Sequence, residues 1–205
     1  MKLFFAPGTI AIASGILLEE AGIAYDKHQL SFADGDQVKP NYLAVNPKAR
    51  VPSLETKKGI ITETGAIAEF IAAQRPDLDL VPDDPFEAAQ MRAVCYYLAS
   101  TFHVNHAHNP RGHRWANQEA SFADMKAKVP ENMAASCAFI ENTCSLEPFI
   151  MGQKFTIADP WLIAICNWLE GDGVQLADYP KLSAHFQVML QRPSVMAIKA
   201  YGLLP

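Results

Sequence analysis

Residues 46–70 read NPKARVPSLETKKGIITETGAIAEF, and the fold follows from how this stretch divides. Residues 51–56 are a short β-prone run, Lys57-Lys58-Gly59 supplies a turn, and residues 60–62 return as the partner strand of a hairpin. Glu63 and Thr64 then open a helix, with Thr64 as the expected N-cap and Ala66, Ile67 and Phe70 at helical spacing behind it.

Two details of the stretch carry chemistry. Val51-Pro52 heads a strand, a place where a residue without an N–H is tolerated. An X-Pro bond reaches the cis form within about 1 kcal/mol of trans. A cis bond here would leave the N–H and C=O of Val51 free to pair with an extended ligand. Glu63-Thr64 offers a ligand carboxylate a hydroxyl, free backbone N–H groups and the positive end of a helix dipole. The Glu63 side chain suits a ligand ammonium. Together they suit an α-amino-acid head group, with an extended peptide running back toward Val51.

At these residues the sequence resembles the glutathione S-transferases. Asn46-Pro47-Lys48-Ala49-Arg50-Val51-Pro52-Ser53-Leu54 and Glu63-Thr64-Gly65-Ala66-Ile67 match the two glutathione-binding motifs of that superfamily. The opening Met1-Lys2-Leu3-Phe4-Phe5-Ala6-Pro7-Gly8 is most similar to its bacterial beta class. The resemblance covers nearly the whole chain. It implies glutathione as a substrate, a small electrophile as the second substrate and a homodimer. It also implies glutathione contacts from Ile10, Arg50, Val51, Pro52, Glu63, Thr64 and Ser100.

The remaining segments extend this frame. Residues 2–6 read as a short buried strand ended by Pro7-Gly8. Thr9 can cap a helix over 10–21 that Gly22 stops, and residues 23–30 form a second strand, completing a βαβ unit. A polar loop over 32–39 and a helical turn around 41–45 lead to the opening motif. The order β-α-β-α-β-β-α predicts a thioredoxin-like domain over 1–75. Residues 76–85 form a Pro- and Asp-rich linker, anchored by Leu78 or Leu80.

Residues 86–205 read as all-helical, so the fold class is α+β with two domains. One long helix is expected over 86–108, broken or kinked at Asn109-Pro110-Arg111-Gly112. A second helical region covers 113–143, with a bend or restart at Pro130. Thr156-Ile157-Ala158-Asp159 is a capping box before Trp161, Ile163, Ala164 and Trp168. Residues 180–191 and 193–201 are the last helices.

Composition excludes several classes. The 205 residues are 50% hydrophobic and 19% charged, an ordinary globular mixture. A net charge of −5 argues against a nucleic-acid surface. The longest apolar run, residues 10–18, falls well short of the ~20 residues that span a membrane. The start lacks an apolar signal region, so a cytoplasmic location is expected. Cys95, Cys137, Cys144 and Cys166 form no C-x-x-C pair and are expected to be buried thiols within helices.

Transfer to an electrophile needs glutathione as its thiolate, and a free thiol has a pKa of about 8.5. The strand tyrosine of the beta class is Phe5 here, its cysteine is Ile10, and the following serine is Ala11. Thr9 is the hydroxyl left in the turn, and the N–H groups of Ile10 and Ala11 are backbone donors. Tyr96, Ser100 and His103 are spaced i, i+4, i+7 and are expected to share one helix face. Beta-class enzymes place a histidine facing the glutathione site on this helix, and His103 matches it best. Thr9 and His103 are therefore the candidate catalytic residues.

His103, His106, His108 and His113 lie close together, but their spacing does not bring three imidazoles to one helix face, and no metal is expected. Arg111 and Arg114 beside them either favour an acidic co-substrate or are solvated. The leading reading is a cytoplasmic, homodimeric glutathione transferase acting on an apolar or mildly acidic electrophile. The alternative is a glutathione-binding protein of the same fold with little or no transferase activity, motivated by Phe5 and Ile10. A pure interaction module is disfavoured by the intact Val51-Pro52 and Glu63-Thr64. The absence of cysteine from the first domain disfavours a thiol-disulfide oxidoreductase.

Overall fold

The computed structural model describes residues 1–205. It divides by contacts into two units, Met1–Asp83 together with Met189–Pro205, and Asp84–Val188. The sequence-based division, with everything from 86 to 205 in one helical domain, differs from this at the C-terminal end.

The first unit begins with β1 (Lys2–Phe5), α1 (Ala11–Glu20) and β2 (Asp26–Gln29). It continues through α2 (Pro40–Leu43), the hairpin β3 (Ser53–Thr56) and β4 (Gly59–Thr62), and α3 (Thr64–Gln74). The sheet order is β2-β1-β3-β4, with β1 parallel to β2 and antiparallel to β3, and β3 antiparallel to β4. This is the expected thioredoxin-like order. β2 is shorter than its expected span and exposed at all four residues, which fits a polar edge strand.

Two helix starts differ from expectation. The N-cap of α1 is Ile10, without a side-chain cap, and the Thr9 hydroxyl instead donates to Ala6 O at 2.7 Å. The N-cap of α3 is Glu63, and Thr64 is the first helical residue. Residues 11–18 of α1 are buried on every side, as a helix enclosed by its neighbours must be. Leu80 is the buried anchor of the linker, at 4% exposure.

The second unit begins with α4 (Pro85–Tyr97), whose first N–H groups are capped by Asp84 Oδ1, which accepts from Phe86 N at 3.0 Å and Glu87 N at 2.9 Å. The expected single helix to residue 108 is interrupted: Leu98–Phe102 is π-helical, and His103 N–H reaches back to Leu98 O. α5 (His103–Arg111) then runs through Pro110 and ends at Gly112. α6 (Glu119–Thr143) passes through Pro130 without a restart, and Pro130 lies against Gly173.

α7 (Ala158–Cys166) is wholly buried and opens on the expected capping box. Asp159 Oδ2 accepts from Thr156 N at 2.8 Å, while Thr156 Oγ1 accepts from Ala158 N. No helix is long and apolar enough to cross a membrane.

After α8 (Pro180–Leu190) the chain returns to the first unit with α9 (Pro193–Ala200) packed on α1. Gly15 allows the close approach: a Cβ there would lie 2.5 Å from Leu203 Cδ2 and 3.2 Å from Ile198 Cγ2. Arg192 forks onto Glu20 at 2.7 and 2.8 Å, and Ser194 Oγ donates to the same carboxylate.

Burial raises the pKa of the Glu20 carboxyl, but the hydrogen bonds from Arg192 and Ser194 outweigh it and hold the pKa below its ordinary value. Stability linked to this group is therefore fully present above the unfolded pKa and lost as pH falls through the folded one. Glu20→Gln should lower the melting temperature near neutrality. It should also flatten the loss of stability below about pH 4.3, the ordinary glutamate value, as followed by thermal unfolding across acid pH.

Candidate functional site

The sheet gathers three segments at one of its ends. Phe4 pairs with Ser53, and Ser53 with Thr62. The turn after β1, the Val51-Pro52 step before β3 and the Glu63-Thr64 step after β4 therefore lie side by side. The Val51-Pro52 bond is cis. Neither the N–H nor the C=O of Val51 takes a hydrogen-bond partner within the chain.

Asn46 holds this segment from beneath and is 1% exposed. Its Nδ2 donates to Arg50 O at 2.7 Å and to Ser53 Oγ at 3.1 Å, and its Oδ1 accepts from Lys48 N at 3.1 Å. The Tyr42 hydroxyl joins it, donating to Arg50 O at 2.6 Å and lying 2.9 Å from Ser53 Oγ. The carbonyl of Arg50, immediately before Val51, is thus fixed twice. Sequence reasoning placed Asn46 at the head of a motif without a contact of its own and gave Tyr42 no role.

Glu63 has φ 74°, ψ 127°, a left-handed conformation that costs a non-glycine residue roughly 1–3 kcal/mol. The strained step turns the chain from β4 into α3 and leaves the first N–H groups of α3 at the sheet end. The Glu63 carboxylate is exposed and pairs with Lys48 Nζ, which also donates to Thr62 Oγ1 at 2.7 Å. Thr64 is 8% exposed. A carboxylate, an ammonium and a helix N-terminus within a few residues can bind both charges of an amino-acid head group.

At the start of α1 the side chains offer little. Phe5 is 2% exposed, with its ring edge-on to Tyr201, and Ile10 is buried. The Thr9 proton is committed to Ala6 O. The N–H groups of Ile10 and Ala11 have no partner within the chain. Backbone donors are therefore the available hydrogen-bonding groups at this turn.

In the second unit, the Ser100 hydroxyl bonds back to Tyr96 O at 2.7 Å. The expected shared face of Tyr96, Ser100 and His103 is altered by the π-helical turn, which takes up an additional residue. Tyr96 and Ser100 are exposed, whereas His103 packs on the Trp168 ring at 4.9 Å.

The family model for the glutathione S-transferase N-terminal domain matches residues 1–73, and that for the C-terminal domain matches residues 98–193. The chain belongs to the glutathione S-transferase family. Glutathione S-transferase GstA of Escherichia coli O157:H7 is 29% identical, with 99% of this chain and 100% of that protein covered. A glutathione transferase homologue from Sulfitobacter, solved with bound glutathione, is 51% identical with a TM-score of 0.97, covering 99% of this chain and 98% of that one. A beta class glutathione S-transferase from Sphingomonas chungbukensis is 29% identical with a TM-score of 0.85, covering 99% and 100%.

Burial makes Cys137, Cys144 and Cys166 of this glutathione S-transferase chain poor nucleophiles. Burial pushes Cys137 up to about 12 and Cys166 well above the ordinary thiol value. Cys144 departs from the expected burial within a helix: it is half-buried, just past the end of α6.

Proposed function

We propose that this family member is a glutathione transferase that joins the glutathione thiolate to an apolar or mildly acidic electrophile. The observation that carries the reading is the strand pairing that sets the unpartnered backbone of Val51 beside the Glu63-Thr64 helix start. The γ-glutamyl end would sit on Glu63 and Thr64, and the cysteinyl backbone on Val51. The 51% identical Sulfitobacter homologue, solved with glutathione, supports the ligand.

Glu63→Ala removes the acceptor for the ligand ammonium. A charge-assisted hydrogen bond is worth roughly 1.5–3 kcal/mol, or roughly 10- to 150-fold in affinity. Calorimetry should show weakening in that range, and an unchanged affinity would mean that the head group binds elsewhere.

The thiolate is held by the N–H groups of Ile10 and Ala11, with His103 as a helper. Lowering a thiol pKa by about two units takes only ~2.7 kcal/mol, within reach of two charged hydrogen bonds. The Thr9 hydroxyl would have to leave Ala6 O to contribute. Titrating the bound thiol by thiolate absorbance should show Thr9→Val close to wild type and His103→Ala raised. An unmoved value in His103→Ala leaves the backbone as sole donor. No depression in wild type would favour the second reading, a glutathione binder with little transferase activity, which Phe5 and Ile10 motivate.

A homodimer is also proposed. Phe86 and Tyr96 on α4 are 70% and 67% exposed and would add apolar surface to a contact with a second copy. Light scattering at micromolar concentration should give twice the 22.5 kDa chain mass, and a monomer mass would defeat the proposal.

A further inference from the structure

In the first unit, an ion pair joins the loop before β3 to the step after β4, and both of its members keep an open position. Lys48 Nζ donates to Thr62 Oγ1 at 2.7 Å and to Glu63 Oε1. An ammonium has three N–H donors, so one is left without a partner in the chain. Glu63 Oε2 likewise accepts from no group of the chain. Both side chains reach water, at 42% and 68% exposure. The backbone under each is fixed. Lys48 N–H donates to Asn46 Oδ1 at 3.1 Å, Ala49 after it takes φ 54°, and Glu63 takes φ 74°. An ion pair this exposed adds little to stability, whereas left-handed non-glycine residues at both of its ends detract from it.

We propose that Lys48 is a specificity-determining residue of the head-group site: its open N–H takes the ligand α-carboxylate while Glu63 Oε2 takes the α-ammonium. The inference rests on the transferase reading above, in which the γ-glutamyl end of glutathione lies on Glu63 and Thr64. The four charges then alternate around a ring: Glu63 carboxylate, ligand ammonium, ligand carboxylate, Lys48 ammonium. Each has neighbours of opposite sign. A head group with the ammonium alone would set two cations on one carboxylate, and Lys48 would repel it. One with the carboxylate alone would face the Glu63 charge in the same way. The N–H groups at the start of α3 attract any anion, so the rejection of a half-charged head comes from the ion pair. The pair admits an intact α-amino-acid head and disfavours thiols that carry only one of its charges.

A purely positioning role, in which Lys48 only steadies Glu63, gives a different pattern of losses. Lys48→Met keeps the aliphatic stem and removes the charge. Calorimetry would compare it with wild type on glutathione, on glutaryl-cysteinylglycine, which lacks the ammonium, and on γ-aminobutyryl-cysteinylglycine, which lacks the carboxylate. Affinity for glutathione and for the glutaryl compound should fall about fivefold, the upper end for an ion pair that water reaches, and the difference should shrink at high salt. Affinity for the γ-aminobutyryl compound should hold or rise. A loss on the γ-aminobutyryl compound overturns the proposal, because Lys48 would then act through Glu63. An unchanged affinity for glutathione or for the glutaryl compound overturns it too, and so does a tighter one, which would make Lys48 a competitor of the ligand ammonium. Loss of glutathione affinity in Glu63→Ala without loss in Lys48→Met strikes this proposal alone. If wild type fails to bind glutathione, or Glu63→Ala binds it as wild type does, the reading on which the proposal rests fails first.

Discussion

The pairing of Ser53 with Thr62 governs the geometry of the first unit's functional end. Residues opposite each other in an antiparallel pair lie about 4.5–5.5 Å apart, so the residues just beyond, Pro52 and Glu63, are neighbours across the hairpin. A slip of one residue would exchange the faces of every side chain in the pair. The turn guards against that. Gly59 takes φ 137°, a region open mainly to glycine, and Thr56 Oγ1 closes the turn by donating to Gly59 O at 2.8 Å. On the other flank, Asn46 and Tyr42 anchor Arg50 and Ser53 around the Val51-Pro52 step.

The second unit has its own fixed point at Asp159. Its carboxylate is fully buried and accepts from Ile150 N at 2.7 Å, Thr156 N at 2.8 Å and His185 Nε2 at 2.9 Å. A buried charge without such partners would cost several kcal/mol. With them, one side chain caps α7 and joins it to the turn at Phe149–Gly152 and to α8. The capping box was visible in the sequence, but the reach to Ile150 and His185 depends on tertiary packing.

Much of the architecture was legible because local signals agreed with one another. The hairpin, the βαβ unit and the capping box each combine a spacing pattern with a turn or cap residue. The π-helical turn at Leu98–Phe102 was not legible, since α and π backbones can carry the same run of residues and the choice depends on packing. Pro130 invited a break in α6, but its local signal yielded to a long helix already committed on both sides. Thr9 and Thr64 were read as caps from residue type alone. The structure gives the cap positions to Ile10 and Glu63, because the chain turns into each helix one residue away from those hydroxyls. Among the candidate site residues, Val51 and Glu63 were marked out by motif and spacing. The contact of His106 with Asp172 was not legible, since 66 residues separate its members.

The return of Met189–Pro205 to the first unit makes the second a long insertion within it. A chain made from its amino end completes the second unit before the first has its final helix. Until then α1, whose residues 11–18 are buried in the finished unit, lacks one of its walls, and Gly8 N–H lacks the bond to Leu203 O at 2.9 Å. The nascent first unit would leave the ribosome with an apolar stripe uncovered through most of synthesis. That face stays open until α9 and Leu203 are in place.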